Sequence, residues 1–163
     1  MSRTGPFQPA IQRVCDALAA HGVEPSVREF AASTRTASDA AAAIGTRPAA
    51  IVKSLVFMAG DQPILVLASG ANRVDTGKLR AMTGQAMRRA SPDEVRAVTG
   101  FAIGAVPPLG HARPLTVYVD RDLLQHDVVW AAAGTPNAVF PIGPDDLVHV
   151  AGGQVIDVKV DST

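Results

Sequence analysis

The sequence predicts a single α+β domain over residues 1–163, built on a mixed, mostly antiparallel sheet with packed helices. Helix signals and one hairpin occupy the chain up to Gly100, and short β-branched runs dominate the remainder. Most connections between those runs are too short for repeated βαβ crossovers, which favours antiparallel pairing. A length of 163 residues, with 47% hydrophobic and 18% charged residues, is typical of one compact domain.

Four helices are predicted from N-terminal caps, apolar spacing and C-terminal glycines. They cover about 9–21, the segment from Thr36 to Gly45, a segment capped by Asp75 that contains Leu79 and Met82, and the segment from Ser91 to Gly100. The last of these opens with Ser91-Pro-Asp-Glu94, a capping box with proline in the first turn.

Strands are predicted where β-branched runs lie between turn residues. A short extended piece is expected around Ser26–Phe30, and Ile51–Met58 and Ile64–Ala68 form a hairpin because a turn-rich segment joins them. Five further strands are expected at Phe101–Val106, Leu115–Val119, Val128–Ala132, Ala138–Ile142 and Val155–Val160.

Composition excludes several classes of protein and of site. Cys15 is the single cysteine, so the chain forms no internal disulfide and no cysteine-built zinc site, which fits a reducing compartment and predicts a cytoplasmic location. The four histidines lack metal-ligand spacing, and no dinucleotide, P-loop or HExxH motif occurs, so we expect no metal and no cofactor. No run approaches the ~20 apolar residues of a membrane span.

Charge is unevenly distributed along a chain whose formal net charge is zero. Residues 1–113 carry 13 basic and 8 acidic side chains, whereas residues 114–163 carry 2 and 7. Such a polarised molecule can present a basic surface to a polyanion, although a pI of 6.9 argues against non-specific coating of nucleic acid.

Lys53 is the first candidate functional residue. Strand alternation puts it on the same face as Leu55 and Phe57, so its ammonium lies among apolar groups. Such a lysine either binds an anion in a pocket or protects a sheet edge from aggregation, and the residues alone leave both interpretations open.

The segment Gly104-Ala-Val-Pro-Pro108-Leu-Gly110-His111 is the second candidate. Glycines at its ends and two prolines inside predict a rigid loop whose backbone N–H groups could bind an oxyanion or a polarised carbonyl. An ordinary proline-rich connection is the alternative interpretation. The segment Ala133-Gly134-Thr-Pro-Asn137 reads as a turn between two apolar runs.

Several segments, in this order, resemble the YbaK/EbsC family of free-standing aminoacyl-tRNA deacylases, which is related to the editing domain of bacterial prolyl-tRNA synthetases. They are IVKSLVF, QPILVLASG, RVDTGKLRAMTG, TGFAIGAVPPLGH and AAAGTPNAVFPIGPDDL. The resemblance covers about residues 25–158. It implies one α+β domain that hydrolyses the ester between a wrong amino acid and tRNA. The implied partners are the acceptor end of tRNA and an aminoacyl-tRNA synthetase. We expect binding neither to DNA nor to a membrane.

Residue by residue, Lys53 matches the functional lysine of the family's K-[TSN] pair, and Ser54 is its polar neighbour. Gly104 and Pro108 match the ends of the family's GxxxP loop. The resemblance therefore implies catalytic roles for Lys53 and Gly104. It implies substrate-binding roles for Ser54, Ala105, Val106, Pro107, Pro108, Gly134 and Asn137.

The implied roles agree with elementary chemistry. Lys53 would hold the phosphate of the terminal adenosine, and loop amides would bind the ester carbonyl while water or a tRNA hydroxyl completes the attack. Candidate phosphate contacts are Arg73, Lys78, Arg80, Arg88 and Arg89, for which a solvated helix face is the alternative.

Two departures from the family concern the substrate. Relatives often place Asp or His where this sequence has Val139 and Phe140, and some use a tyrosine upstream of the lysine, whereas Tyr118 lies downstream of it. Esters of alanine, cysteine, serine and threonine all remain candidate substrates.

Two other functions stay open. The missing acid near Val139 favours a non-catalytic module that binds aminoacyl or nucleotide ends. A Schiff-base enzyme using Lys53 is the third hypothesis, for which the sequence offers neither a phosphate loop nor an acid partner.

Overall fold

The computed structural model describes residues 8–31 and 36–161. The α-helices in these ranges are α1 (Pro9–Ala20), α2 (Ala37–Ile44), α3 (Thr76–Thr83), α4 (Pro92–Thr99) and α5 (Pro144–Ala151). The strands are β1 (Arg28–Glu29), β2 (Val52–Ala59), β3 (Gln62–Ser69), β4 (Met87–Arg89), β5 (Thr116–Asp120), β6 (Val129–Ala132), β7 (Ala138–Ile142) and β8 (Gln154–Ile156). Short 3₁₀ helices occupy Pro48–Ala50 and Arg121–Gln125.

Two sheets form the framework. The larger has the strand order β4-β2-β3-β5-β8, and the smaller has the order β1-β7-β6. Strands β3 and β5, and β5 and β8, pair in parallel, whereas the other four pairs are antiparallel. A single bridge between Ile51 and Trp130 links the two sheets. The predicted α+β class is therefore confirmed, and most strand pairs are antiparallel as expected, although the strands form two sheets and not the one predicted.

The larger sheet buries apolar side chains on both faces because its strands alternate in and out. On one face, Leu65 and Leu67 pack with Leu18 of α1 and Phe140 of the smaller sheet in the main core. On the other face, Phe57 belongs to a second cluster with residues of β3, α3 and β5. The central strands β2 and β3 are thus held from both sides, which makes them a rigid support for side chains near their ends.

The predicted helix caps are confirmed. Thr36 Oγ1 accepts the Asp39 N–H at 3.0 Å, and the Asp75 carboxylate accepts N–H groups of the first turn of α3. At α4, Ser91 and Glu94 exchange both hydrogen bonds of a capping box, at 2.9 and 3.2 Å. Caps satisfy N–H groups that have no partner inside the helix, so these residues mark where each helix begins. None of the helices in the described ranges is long and apolar enough to cross a membrane.

The predicted strand Phe101–Val106 is wrong. Gly104 has a φ of +83°, and the Ala105 N–H donates to the Ala102 carbonyl at 3.0 Å, so the backbone turns here rather than extending. The predicted strand Val155–Val160 is shorter than expected, since β8 ends at Ile156 and only Lys159 forms a further bridge, with Val74. Helix α5 and strand β4 were not expected from the sequence.

Candidate active site

A cavity of about 500 Å³ opens beside the first half of β2. Strand β4 pairs with β2 only at Phe57–Ala59, so the earlier part of that edge of β2 is not covered by β4. The cavity walls come from α2, β2, the loop after α4, and the paired strands β6 and β7. A strand edge facing a hollow leaves backbone polar groups available to a ligand, which makes this the candidate site.

Lys53 lines the cavity from β2 and is half-buried. Its Nζ donates a hydrogen bond to the backbone carbonyl of Asn72 in the loop that follows β3. Burial lowers the pKa of the Lys53 ammonium below its ordinary value, and the positive charge of Arg89 lowers it further, while Asp120 opposes the shift. The ammonium is therefore held in place by one carbonyl, and its other protons remain for a ligand.

A buried carboxylate orders the Asn72 loop. Asp120 is 1% exposed; its Oδ2 accepts the Ser69 N–H at 3.0 Å and the Asn72 Nδ2–H at 2.8 Å. Its Oδ1 accepts the Asp122 N–H at 2.9 Å. Since these bonds fix Asn72, they also fix the carbonyl that Lys53 uses.

Ser54 follows Lys53 and lines the same cavity. Its Oγ is buried and has no hydrogen-bond partner within the described residues. Most buried hydroxyl groups are hydrogen-bonded, because leaving one unpaired costs about 1–3 kcal/mol. An unpaired hydroxyl at a cavity wall therefore indicates that a ligand supplies its partner.

The proline-rich loop forms part of the cavity wall. Gly104 and Val106 line it, and among the described residues no acceptor is found for either N–H group. The loop is held from behind, where His111 Nε2–H donates to the Pro107 carbonyl at 2.7 Å. Burial lowers the pKa of His111 below its ordinary value, although the bond to Pro107 opposes this, so the ring favours the neutral form.

Of the site residues predicted from the sequence, four line the cavity: Lys53, Ser54, Gly104 and Val106. Five others do not line it. Those five are Ala105, Pro107, Pro108, Gly134 and Asn137. Ala105 is fully buried and uses its N–H within the turn, and Pro107 and Pro108 are buried in the loop.

Gly134 and Asn137 have structural roles outside the cavity wall. A Cβ on Gly134 would lie 2.7 Å from the Ala10 carbonyl, so glycine permits α1 to approach. Asn137 donates to the Phe30 carbonyl at 2.7 Å and accepts from Thr135 Oγ1 at 3.0 Å, which ties the turn to the end of β1.

Sequence reasoning missed several wall residues. Arg89 on β4 reaches the cavity, although the sequence marked it only as one of five basic residues. Ile51, Ile103 and Trp130 also line it, and nothing in their local sequence signals a ligand. Of the two positions that depart from the family pattern, Val139 is at the wall, whereas Phe140 is 1% exposed in the main core.

No three His, Cys, Asp or Glu side chains converge as a metal site anywhere in residues 8–31 and 36–161. The described cavity wall also contains no side chain of these four types. Its charged groups are the two cations Lys53 and Arg89. The site is thus suited to an anionic ligand.

Similarity to known proteins agrees with this geometry. Residues 31–150 match the model of the aminoacyl-tRNA editing domain. The chain is 39% identical over 140 residues to the uncharacterized protein YwhH of Bacillus subtilis (strain 168), covering 85% of this chain and 89% of that protein. It is 34% identical over 77 residues to a proline–tRNA ligase of Thermotoga neapolitana, covering 47% of this chain but only 13% of the ligase.

Solved structures show the same relationship. The fold matches the crystal structure of a candidate trans-editing enzyme for prolyl tRNA synthetase with a TM-score of 0.91 and 48% identity, over 96% of this chain and all of that one. It matches the hypothetical protein APE2540 with a TM-score of 0.84 and 30% identity, over 91% and 99% of the two chains. The chain therefore belongs to the aminoacyl-tRNA editing domain family.

Proposed function

We propose that this protein is a trans-editing deacylase that hydrolyses the ester between a wrong, small amino acid and the 3′ end of tRNA. The observation that carries the proposal is the meeting of Lys53, Ser54, Gly104 and Val106 around one cavity of about 500 Å³. The aminoacylated end of tRNA carries a phosphate, which a cation can bind, and an ester carbonyl, which backbone amides can bind. The unpaired hydroxyl of Ser54 offers one further hydrogen bond. The family of the chain supports the same reaction.

Lys53 binds the substrate's phosphate. Its ammonium is anchored by the Asn72 carbonyl and still has protons to donate, so it acts as a point charge for the phosphate of the terminal adenosine. This contact positions the ester at the loop, and correct positioning of the reacting groups contributes strongly to catalysis.

Gly104 and Val106 bind the ester carbonyl through their backbone N–H groups. The Ala105 N–H is committed to the turn, whereas no acceptor is found among the described residues for the N–H groups of Gly104 and Val106. Each donor aimed at the developing oxyanion commonly lowers the barrier by about 3 kcal/mol.

Water is the nucleophile. Because the described wall offers no His, Cys, Asp or Glu, the neighbouring ribose hydroxyl of tRNA orients the water. A new C–O bond forms at the carbonyl carbon, the ester C–O bond breaks, and the ribose oxygen leaves with a proton that originates from the water.

The wall around Ser54 favours small amino acids. Ala132, Ala138 and Val139 give the wall an apolar surface, and Ser54 Oγ offers one hydrogen bond. Alanine, cysteine, serine and threonine fit this description. One methylene contributes only about 1–3 kcal/mol to discrimination, so the preference among them must be measured.

A non-catalytic module that binds the acceptor end is the second candidate. The observation that favours it is the apolar Val139 at the wall, where relatives often have an acid or a histidine.

The test is a deacylation screen. Purified protein is incubated with tRNAs charged with alanine, cysteine, serine, threonine or proline, and release of the amino acid is measured. Release from one or two of these is the expected result. No release from any of them, with binding of the tRNA end retained, would replace the deacylase with the binding module.

A further inference from the structure

Arg89 is a second cation at the cavity wall, and its partners differ from those of Arg88, its neighbour on β4. It lines the cavity together with Lys53, and its guanidinium lies over the Phe57 ring, 5.6 Å from the ring centre. Across the described part of the chain, no carboxylate pairs with it. An exposed arginine stacked on an aromatic ring has its direction fixed while its N–H groups stay available.

Two of the other basic residues named from the sequence are already neutralised. Arg88, next along β4, donates two hydrogen bonds to Glu94, at 2.7 and 2.8 Å. Lys78 donates to Asp157 at 2.9 Å and to Asp161 at 2.8 Å. Arg89 lines the cavity and Arg88 does not, so the two arginines serve different surfaces.

Among the described wall residues, no side chain would balance the charge of Arg89. Lys53 and Arg89 both face the cavity, whose described lining has no Asp or Glu. The Asp120 carboxylate, which lies behind Lys53, is occupied by three N–H donors. Two cations without a facing carboxylate form a site for an anion of one or two charges.

We infer that Arg89 and Lys53 together bind the phosphodiester that precedes the terminal adenosine of tRNA, with Arg89 as the bidentate ligand. This inference rests on the proposed function and deepens it. It makes the substrate class a 3′-aminoacylated nucleotide that retains its 5′-phosphate. Free amino-acid esters and aminoacyl-nucleosides lack that phosphate and are poor substrates for the same cavity.

The test uses a fluorescent RNA hairpin that carries an acceptor stem ending in CCA and no amino acid. The phosphodiester before the terminal adenosine is either native or a neutral methylphosphonate, and affinity is measured by anisotropy. For the wild-type protein, the neutral linkage should weaken binding about tenfold. Arg89→Ala should weaken binding of the native hairpin about tenfold and reduce the difference between the two hairpins, leaving only the part that Lys53 contributes. It should also lower the slope of log affinity against log salt by about 0.7.

Arg88→Ala is the matched control, since it removes the same charge from the adjacent, ion-paired position. It should change affinity less than about twofold. Arg89→Lys keeps a charge and a stem over Phe57 and shows whether a defect in Arg89→Ala comes from the fold. Equal sensitivity to the neutral linkage in wild type and Arg89→Ala would overturn the inference, as would equal losses in Arg88→Ala and Arg89→Ala.

This measurement needs no ester hydrolysis, so it fails separately from the proposed function. A protein that releases amino acid in the deacylation screen but binds both hairpins equally keeps the proposed reaction and loses the Arg89 site. A protein that distinguishes the hairpins through Arg89 but releases nothing keeps the site and loses the reaction.

Discussion

Lys53 Nζ donates to the backbone carbonyl of Asn72, which links the beginning of β2 to the loop after β3. That loop is in turn held by the buried carboxylate of Asp120 at the end of β5. A chain of hydrogen bonds thus runs from the core of the larger sheet to the ammonium at the cavity.

Asp120→Asn should destabilise the protein and reduce its activity. In either orientation the amide would direct its NH2 group toward N–H donors that the carboxylate accepts from, either the Asp122 N–H or the Ser69 N–H and the Asn72 side chain. At least one donor is then left unpaired, at a cost of about 1–3 kcal/mol. Urea unfolding measures the stability, and deacylation measures the activity. Asp122→Asn is the control because Asp122 accepts from the same Asn72 side chain at 2.9 Å but is only partly buried. Equal effects of the two substitutions would contradict the ordering role of Asp120.

Ser54→Ala should weaken substrate binding without destabilising the fold. Its Oγ has no hydrogen-bond partner within residues 8–31 and 36–161, so removing it loses no hydrogen bond in that part of the protein. Ser69→Ala is the comparison, because Ser69 Oγ donates to the Ala49 carbonyl at 2.8 Å and its loss should cost about 1 kcal/mol. Thermal unfolding and KM for the charged tRNA are the two measurements. A destabilised Ser54→Ala variant with unchanged KM would exclude a ligand-binding role.

Gly104→Ala should reduce kcat while leaving the protein folded. A Cβ there meets nothing within 4 Å, but the φ of +83° is unfavourable for alanine by about 1 kcal/mol. Relief of that strain would move the neighbouring amides that bind the ester carbonyl. Gly152→Ala is matched in both respects, with a φ of +61° and open space, and lies at the end of α5. We expect the two variants to lose similar unfolding free energy, and kcat to fall only in Gly104→Ala. A fall in kcat in both variants would refute the role of the loop.

The ammonium of Lys53 should titrate below its ordinary pKa of 10.5, because burial and Arg89 both lower it. Arg89→Ala removes one of these causes and should raise the Lys53 pKa. At pH values between the lowered pKa and 10.5, Lys53 is protonated more fully in the unfolded chain than in the folded protein. The contribution of Lys53 to the free energy of unfolding therefore rises with pH in this range. NMR of the lysine Cε carbon follows the titration. An identical midpoint in wild type and Arg89→Ala would contradict the proximity of the two charges.

Local signals predicted much of the fold, and their failures have physical causes. The caps at Thr36, Asp75 and Ser91 act within one turn of chain, so the sequence locates those helices correctly. The apolar run Phe101–Val106 resembles a strand, yet Gly104 takes a positive φ and the segment turns. Helix α5 had its own signals, a proline at the first position and two acidic residues in the first turn, but the preceding strand pattern masked them.

The candidate site was predictable only in part. Lys53 and Gly104 stand out because a lysine in an apolar strand and a glycine in a proline-rich loop are locally unusual. Asn72 and Asp120 are 48 residues apart and meet only because β3 and β5 are parallel neighbours, a pairing that no local pattern specifies. That Arg89, and not Arg88, has its charge available at the cavity likewise depends on tertiary structure, because Arg88 is the residue of β4 that pairs with Glu94.

The most direct test of the central claim compares Lys53→Ala with wild type in single-turnover deacylation of the charged tRNA identified by the screen. Lys78→Ala, which removes a lysine bound to Asp157 and Asp161, is the control. Circular dichroism confirms that each variant is folded. Loss of a charge-assisted contact should slow Lys53→Ala by about tenfold to a hundredfold, with Lys78→Ala within about twofold of wild type. Wild-type turnover by a folded Lys53→Ala variant would contradict the role of Lys53 in deacylation.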